Sequence, residues 1–234
     1  MSWFGEFWRS TLGKKAVMAV SGIVLFGYVL LHMLGNLKLY LPRYARGEHA
    51  DELPLNVYAG WLRDVGAPLL PHEGALWLVR VVLVAAVVAH VWAAWQVTRA
   101  SRRARPERYR KVDRVEVDYA ARTMRWGGVI LLLFVVYHLL HLTTGQAHHD
   151  YVPGDVYHNV VAGFSLWWVS AVYIVANLFL GLHLYHGLWS MFQSLGWAHP
   201  TFNPWRRHFA VAFALVITAG NVSFPVAVLT GLVG

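Results

Sequence analysis

Six of the thirteen histidines in this 234-residue chain fall inside long apolar runs: His32, His90, His138, His141, His183 and His186. An ionisable group in hydrocarbon is costly and by default marks function. One such histidine can serve as a hydrogen-bonding device between helices, but here four successive apolar runs each carry at least one. Neutral imidazole is the commonest metal-binding side chain and suits iron. The chain has no cysteine, which excludes disulfides, zinc–thiolate sites, iron–sulfur clusters and covalent c-type haem attachment. Two histidines facing each other across a helical bundle can still ligate both axial positions of a noncovalently held haem.

The elements that must position these side chains follow from composition. Hydrophobic residues make up 57% of the chain and charged residues only 14%, against about 25% charged in a soluble domain. Mean hydropathy is +0.44. The apolar residues are gathered in runs, and a hydrocarbon core of roughly 30 Å needs about 20 of them per helix. Five membrane-spanning helices are expected, over residues 14–41, 74–97, 123–144, 165–194 and 209–233, in an all-α fold that makes 1–234 a single membrane domain. The first follows Lys14-Lys15 as a signal peptide would. It is too long for a typical h-region, holds His32 and lacks an obvious small-residue cleavage site, so it reads as a retained helix. Outside the spans, residues 2–12 place Trp3, Phe4, Phe7, Trp8 and Leu12 at helical spacing, as in an interfacial helix. Residues 55–65 suit a short helix on the outer surface.

The formal charge of +8 does not point to nucleic acid, because the basic residues flank the apolar runs. Arg99, Arg102, Arg103, Arg105, Arg108, Arg110, Lys111, Arg114 and Arg122 lie between the second and third spans, Arg206-Arg207 before the fifth, and Arg9, Lys14 and Lys15 before the first. The other side has Lys38, Arg43, Arg46 and Arg63, and residues 145–164 have neither Lys nor Arg. The positive-inside rule puts the N-terminus in the cytoplasm and the C-terminus outside. The expected partner is the lipid bilayer.

Depth sorts the histidines. On helices running outward, His32 is 18 residues past Lys14 and His138 is 13 past Arg125, about 27 and 20 Å along their axes. On helices running inward, His90 is 13 residues past Trp77 and His183 is 16 past Trp167, roughly 20–24 Å along. An outer pair, His32 with His138, and an inner pair, His90 with His183, are therefore expected, roughly 10–20 Å apart along the membrane normal. His141 and His186 share a face with His138 and His183, and spacing alone leaves the choice between neighbours open. Gly22, Gly27, Gly35, Gly181 and Gly187 permit close approach of a flat macrocycle, or equally of another helix. Anionic haem propionates want cations at the membrane edge; Arg122 and Arg125 could serve the inner haem and Arg80 the outer one.

The segments Leu31-His32-Met33-Leu34-Gly35-Asn36, Ala89-His90-Val91-Trp92, Phe134-Val135-Val136-Tyr137-His138 and His183-Leu184-Tyr185-His186-Gly187-Leu188-Trp189-Ser190 resemble the dihaem cytochrome b anchor of succinate:quinone oxidoreductases. The resemblance covers about residues 10–233. It implies two haems b ligated by His32, His90, His138 and His183, first helix paired with third and second with fourth. The His-x-x-x-Gly-Leu-Trp-Ser match favours His183 over His186, and the same reasoning favours His138 over His141. It further implies a bacterial cytoplasmic membrane location and a complex with a flavoprotein and an iron–sulfur subunit, compatible with a higher oligomer. Succinate would be oxidised elsewhere in that complex, and electrons would reach menaquinone through this chain. Asp64, His72 and Glu73, near the outer entrance of the second helix, could relay protons at a quinone site. Some family members carry a glutamate two residues before the fourth-helix ligand for compensating proton transfer. That position is Gly181 here, which implies that electron transfer is electrogenic, with about 2.3 kcal/mol per charge across 100 mV. The dihaem anchor of a nitrate reductase shares this physics with other partners, and a histidine-based metal transporter is the reading of a different class.

Overall fold

The structure, a computed structural model, describes residues 3–104, 116–197 and 199–234, with backbone only at 3, 4, 9 and 116–123. Its helices are α1 (Trp3–Arg9), α2 (Thr11–Asn36), α3 (Pro54–Asp64), α4 (Gly74–Arg103), α5 (Glu116–His138), α6 (Val156–Ser165), α7 (Trp167–Ser194) and α8 (Asn203–Leu229). Among the described residues there is no strand. Five helical segments are long and apolar enough to cross a membrane: Thr11–Tyr40, Gly74–Arg103, Met124–Thr143, Trp167–Ser194 and Asn203–Leu229. The chain is a multi-pass α-helical membrane protein.

Local chemistry sets the helix ends. Ser10 caps α2, its Oγ accepting from the Gly13 amide at 3.0 Å. A 3-10 turn, Leu37–Tyr40, closes the span before Leu41-Pro42, where the helix cannot continue. Pro54 and Pro204 sit in the first turns of α3 and α8, where no amide is needed. Several ends differ from the sequence expectation. The second span runs on to Arg103 because its arginine-rich end is still a good helix former. The fifth occupies Asn203–Leu229 rather than 209–233, begun early by that proline. The residues between the third and fourth expected spans hold a further helix, α6, whose last residue, Ser165, is the expected start of the fourth span; Asp155 caps α6, accepting from the His158 amide at 2.9 Å.

α7 is the central helix. It packs antiparallel on α8 and also against α5, while α2 pairs with α4 and touches α7 and α8. Met33, Val169, Tyr173, Leu184, Ile217 and Phe224 form the core between them. Two buried polar residues of α7 are satisfied locally: Ser170 donates to the Phe164 carbonyl and Asn177 to that of Tyr173. The outer face is apolar, with Val84, Leu215, Leu31 and Leu133 exposed at 62–66%, as lipid contact requires. Exposed Trp77, Trp167 and Trp205 stand near the starts of α4, α7 and α8, and exposed Trp126 near the start of the Met124–Thr143 span, as interfacial aromatics do. α3 and α6 close one end of the bundle, joined through Asn56, which donates to Asp155 at 2.8 Å and accepts from the Tyr157 amide at 2.9 Å. The N-terminus of α2 lies at the other end.

Candidate functional site

α2 and α5 barely touch, and neither do α4 and α7. Across each of these two gaps a pair of histidines meets. The His32 and His138 rings lie with centroids 5.8 Å apart at an interplanar angle of 87°, and those of His90 and His183 lie 6.2 Å apart at 61°. The two levels are separated along α2 by the ten residues from His32 to Gly22, whose added Cβ would meet the His90 ring at 3.4 Å. That is about 15 Å at 1.5 Å per residue.

The hydrogen bonds fix which nitrogen of each ring is engaged. His90 Nδ1 lies 3.1 Å from the Met18 carbonyl and 3.3 Å from Ser21 Oγ. A carbonyl only accepts, so Nδ1 carries the proton and Nε2 keeps its lone pair. His138 Nδ1 is 3.2 Å from Tyr173 Oη, and His32 Nδ1 is 3.5 Å from Tyr28 Oη. His183 Nδ1 is buried without a partner. For none of the four does Nε2 have a hydrogen-bond partner among the described residues. Each pair thus engages or buries Nδ1 and leaves Nε2 without a hydrogen-bond partner among the described residues, the arrangement that second-shell bonds impose on metal-binding histidines.

This arrangement fits haem. Two imidazoles sharing one metal through nitrogens about 2.0 Å away have centroids roughly 6 Å apart, and both pairs have that spacing. A bare metal ion would need three or four protein ligands, yet among the described residues no three His, Asp or Glu side chains gather to hold one. A pair suits an iron whose remaining ligands come from a macrocycle, and each pair sits between two helices whose backbones barely approach each other. The glycines divide accordingly. Cβ atoms at Gly27 and Gly187 would meet nothing within 4 Å, but one at Gly35 would strike the Tyr58 ring at 2.8 Å. Gly35 therefore serves helix packing.

No family model, characterised protein or solved structure matches this chain.

The remaining sequence candidates separate. His141 is buried and turned away from the His32–His138 gap, stacked between Tyr137 (5.4 Å) and His148 (4.7 Å). A single π turn, Leu139–Thr143, directly after His138 produces this divergence. His186 stays beside His183, lining a narrow cleft with Met124, Gly127, Phe179 and Leu182. Arg80 is held by Glu73 at 3.8 Å and lies over the Trp77 ring at 4.7 Å. Arg125 is on the exposed surface of α5, and the Arg122 side chain lies outside the described residues. Asp64 and His72 form an exposed hydrogen-bonded pair at 2.9 Å. Glu73 instead accepts from Arg63 at 3.1 Å, which ties α3 to the start of α4. Sequence reasoning missed Tyr173. It is six residues past Trp167, about 9 Å along α7, and the depth rule that placed His138 places it at the same level.

Proposed function

We propose that this chain is the dihaem cytochrome b anchor of a succinate:quinone oxidoreductase in a bacterial cytoplasmic membrane. The observation that carries the reading is the pair of histidine couples, each at ligand-sharing distance across two helices whose backbones barely touch. His32 and His138 would hold one haem b, His90 and His183 the other. When bound, the haems supply one-electron transfer between a cytoplasmic iron–sulfur subunit and menaquinone; succinate chemistry belongs to the partner flavoprotein.

The chain's own residues contribute ligands, orientation and insulation. Met18 and Tyr173 orient the rings of His90 and His138. Lipid-facing Leu and Val keep water from the span. Asp64 and His72, exposed at the α3–α6 end, are suited to exchanging protons with solvent during quinone reduction. Glu73 is less suited, being paired with Arg63 and Arg80.

The test is purification of the complex from its native membrane. Two b-type haems per copy of this chain, with co-purifying flavoprotein and iron–sulfur subunits and succinate:menaquinone activity, are the expected result. Absence of a b-type band in the reduced-minus-oxidised spectrum would return the transporter reading. Haems with a molybdenum-containing partner would assign the chain to nitrate respiration instead.

A further inference from the structure

Tyr173 is a phenol buried in the membrane core, 5% exposed, and its hydroxyl faces two imidazoles at once. Its Oη is 3.2 Å from His138 Nδ1 and 3.0 Å from His141 Nδ1. The ring has little freedom to move. Phe134 meets it edge-on at 5.0 Å, Phe164 at 4.8 Å, and Tyr137 at 6.0 Å. His141 is equally fixed, buried in its stack between Tyr137 and His148. His148 is anchored in turn. The Asp150 amide donates to its Nδ1 at 3.0 Å, so its Nε2 carries the proton and donates to the Asn159 carbonyl at 2.8 Å.

One hydroxyl donates once. Two Nδ1 atoms on one phenol oxygen are both satisfied if one imidazole donates to the oxygen and the other accepts its proton. The direction follows from His138. To offer Nε2 to a metal it must carry its proton on Nδ1, so His138 donates to Tyr173, and Tyr173 donates to His141. His138 at the end of α5 and His141 in the π turn that follows it thus reach the same hydroxyl of α7. In the other couple no hydroxyl bridges two imidazoles: His90 Nδ1 donates to the Met18 carbonyl, and His183 Nδ1 is buried without a partner.

We infer that Tyr173, polarised by His141, is a positioning residue for His138: it fixes the tautomer and ring orientation of that ligand and strengthens it as a donor. The inference rests on the haem reading above. A hydrogen bond accepted from the far nitrogen of an imidazole ligand raises its basicity. A more basic ligand favours ferric over ferrous iron, so the Tyr173–His141 chain lowers the midpoint potential at the His32–His138 site alone.

The experiment is a redox titration of the purified complex carrying Tyr173→Phe, with haem content measured alongside. The expected result is full haem content and an upward shift of one midpoint potential only. The shift should correspond to roughly a three- to tenfold change in the oxidised-to-reduced ratio, tenfold being 59 mV for one electron. His141→Leu leaves Tyr173 in place and removes only its acceptor, so a smaller shift of the same sign at the same site is expected. Two haems with both potentials unchanged in Tyr173→Phe would overturn the inference while leaving the haem reading intact. If Tyr173→Phe loses haem, His141→Leu decides, and an unchanged potential there overturns it. A wild-type complex without b-type haem would instead defeat the reading on which the inference stands.

Discussion

His32 and His138 meet across the α2–α5 gap with ring planes at 87°, nearly perpendicular, whereas His90 and His183 are inclined at 61°. If each couple ligates one low-spin ferric iron, the angle between the imidazole planes sets how far the two iron dπ orbitals facing them are split. Perpendicular planes raise both orbitals equally and leave more orbital angular momentum unquenched. The electron paramagnetic resonance spectrum of the oxidised complex should therefore contain two low-spin signals, the one with the larger maximal g value belonging to His32–His138. Assignment comes from variants that remove one couple at a time. The reverse assignment would show that the ring angles do not persist in the loaded protein.

On the proposed haem reading, the same couples predict which haem each histidine would control. His32→Ala and His138→Ala should each remove the same haem, and His90→Ala and His183→Ala the other, so that each single variant retains about one of two haems by pyridine haemochrome assay. A ligand taken from a buried site leaves its partner imidazole without a metal, so little residual occupancy is expected. His141→Ala should keep both haems, because its ring is turned toward His148. Loss of one haem from His141→Ala, with both retained in His138→Ala, would move the ligand three residues along α5.

Much of this was legible in the sequence, for reasons particular residues make plain. A 20-residue apolar run has few alternatives to a spanning helix, and helical rise converts residue number into depth, so His32 fell level with His138 and His90 with His183. Rotation about the helix axis was not legible. His138 and His141 share a face in a regular helix, and only the π turn at Leu139–Thr143 separates them. Such turns carry no residue signature in an apolar run. The roles of Gly35 and Gly181 were hidden too, because small residues mark close approach without saying whether a ring or another helix approaches. Glu73 reads as a loop acid by composition, but its pairing with Arg63 and Arg80 depends on how α3 folds back on α4.

Under the proposed function, Gly181 bears on how charge would be compensated. A Cβ placed there would overlap the Thr218 hydroxyl on α8, so this glycine holds α7 against α8. Gly181→Ala should destabilise the protein by about 1–3 kcal/mol, the usual cost of overpacking a core. Thr218→Ala removes the clashing oxygen and should recover most of that loss in a double-mutant cycle. Melting temperatures of the four proteins in one detergent measure it. Additive effects, with no recovery, would show that the two residues do not touch. By the same geometry Gly181→Glu alone should fail to install a proton path, since the carboxylate would first have to displace α8.

The cap formed by α3 and α6 should be acid-sensitive through Asp155. Partial burial alone would push its carboxyl up. The His158 amide, the Asn56 side chain, and the nearby His158 ring and Arg43 together outweigh that effect and hold it below the ordinary value of 3.8. A carboxylate with a lowered folded-state pKa stabilises fully above its unfolded value and loses that contribution as pH falls through the folded one. Amide protection in α3 and α6, corrected for intrinsic exchange, should therefore be constant from neutral pH to about 5 and fall below about 4. Asparagine caps a helix about as well as aspartate and does not titrate. Asp155→Asn should therefore lower protection slightly at neutral pH and flatten the acid limb, while the spans stay unchanged. If wild type and Asp155→Asn lost protection in parallel on acidification, another group would be responsible.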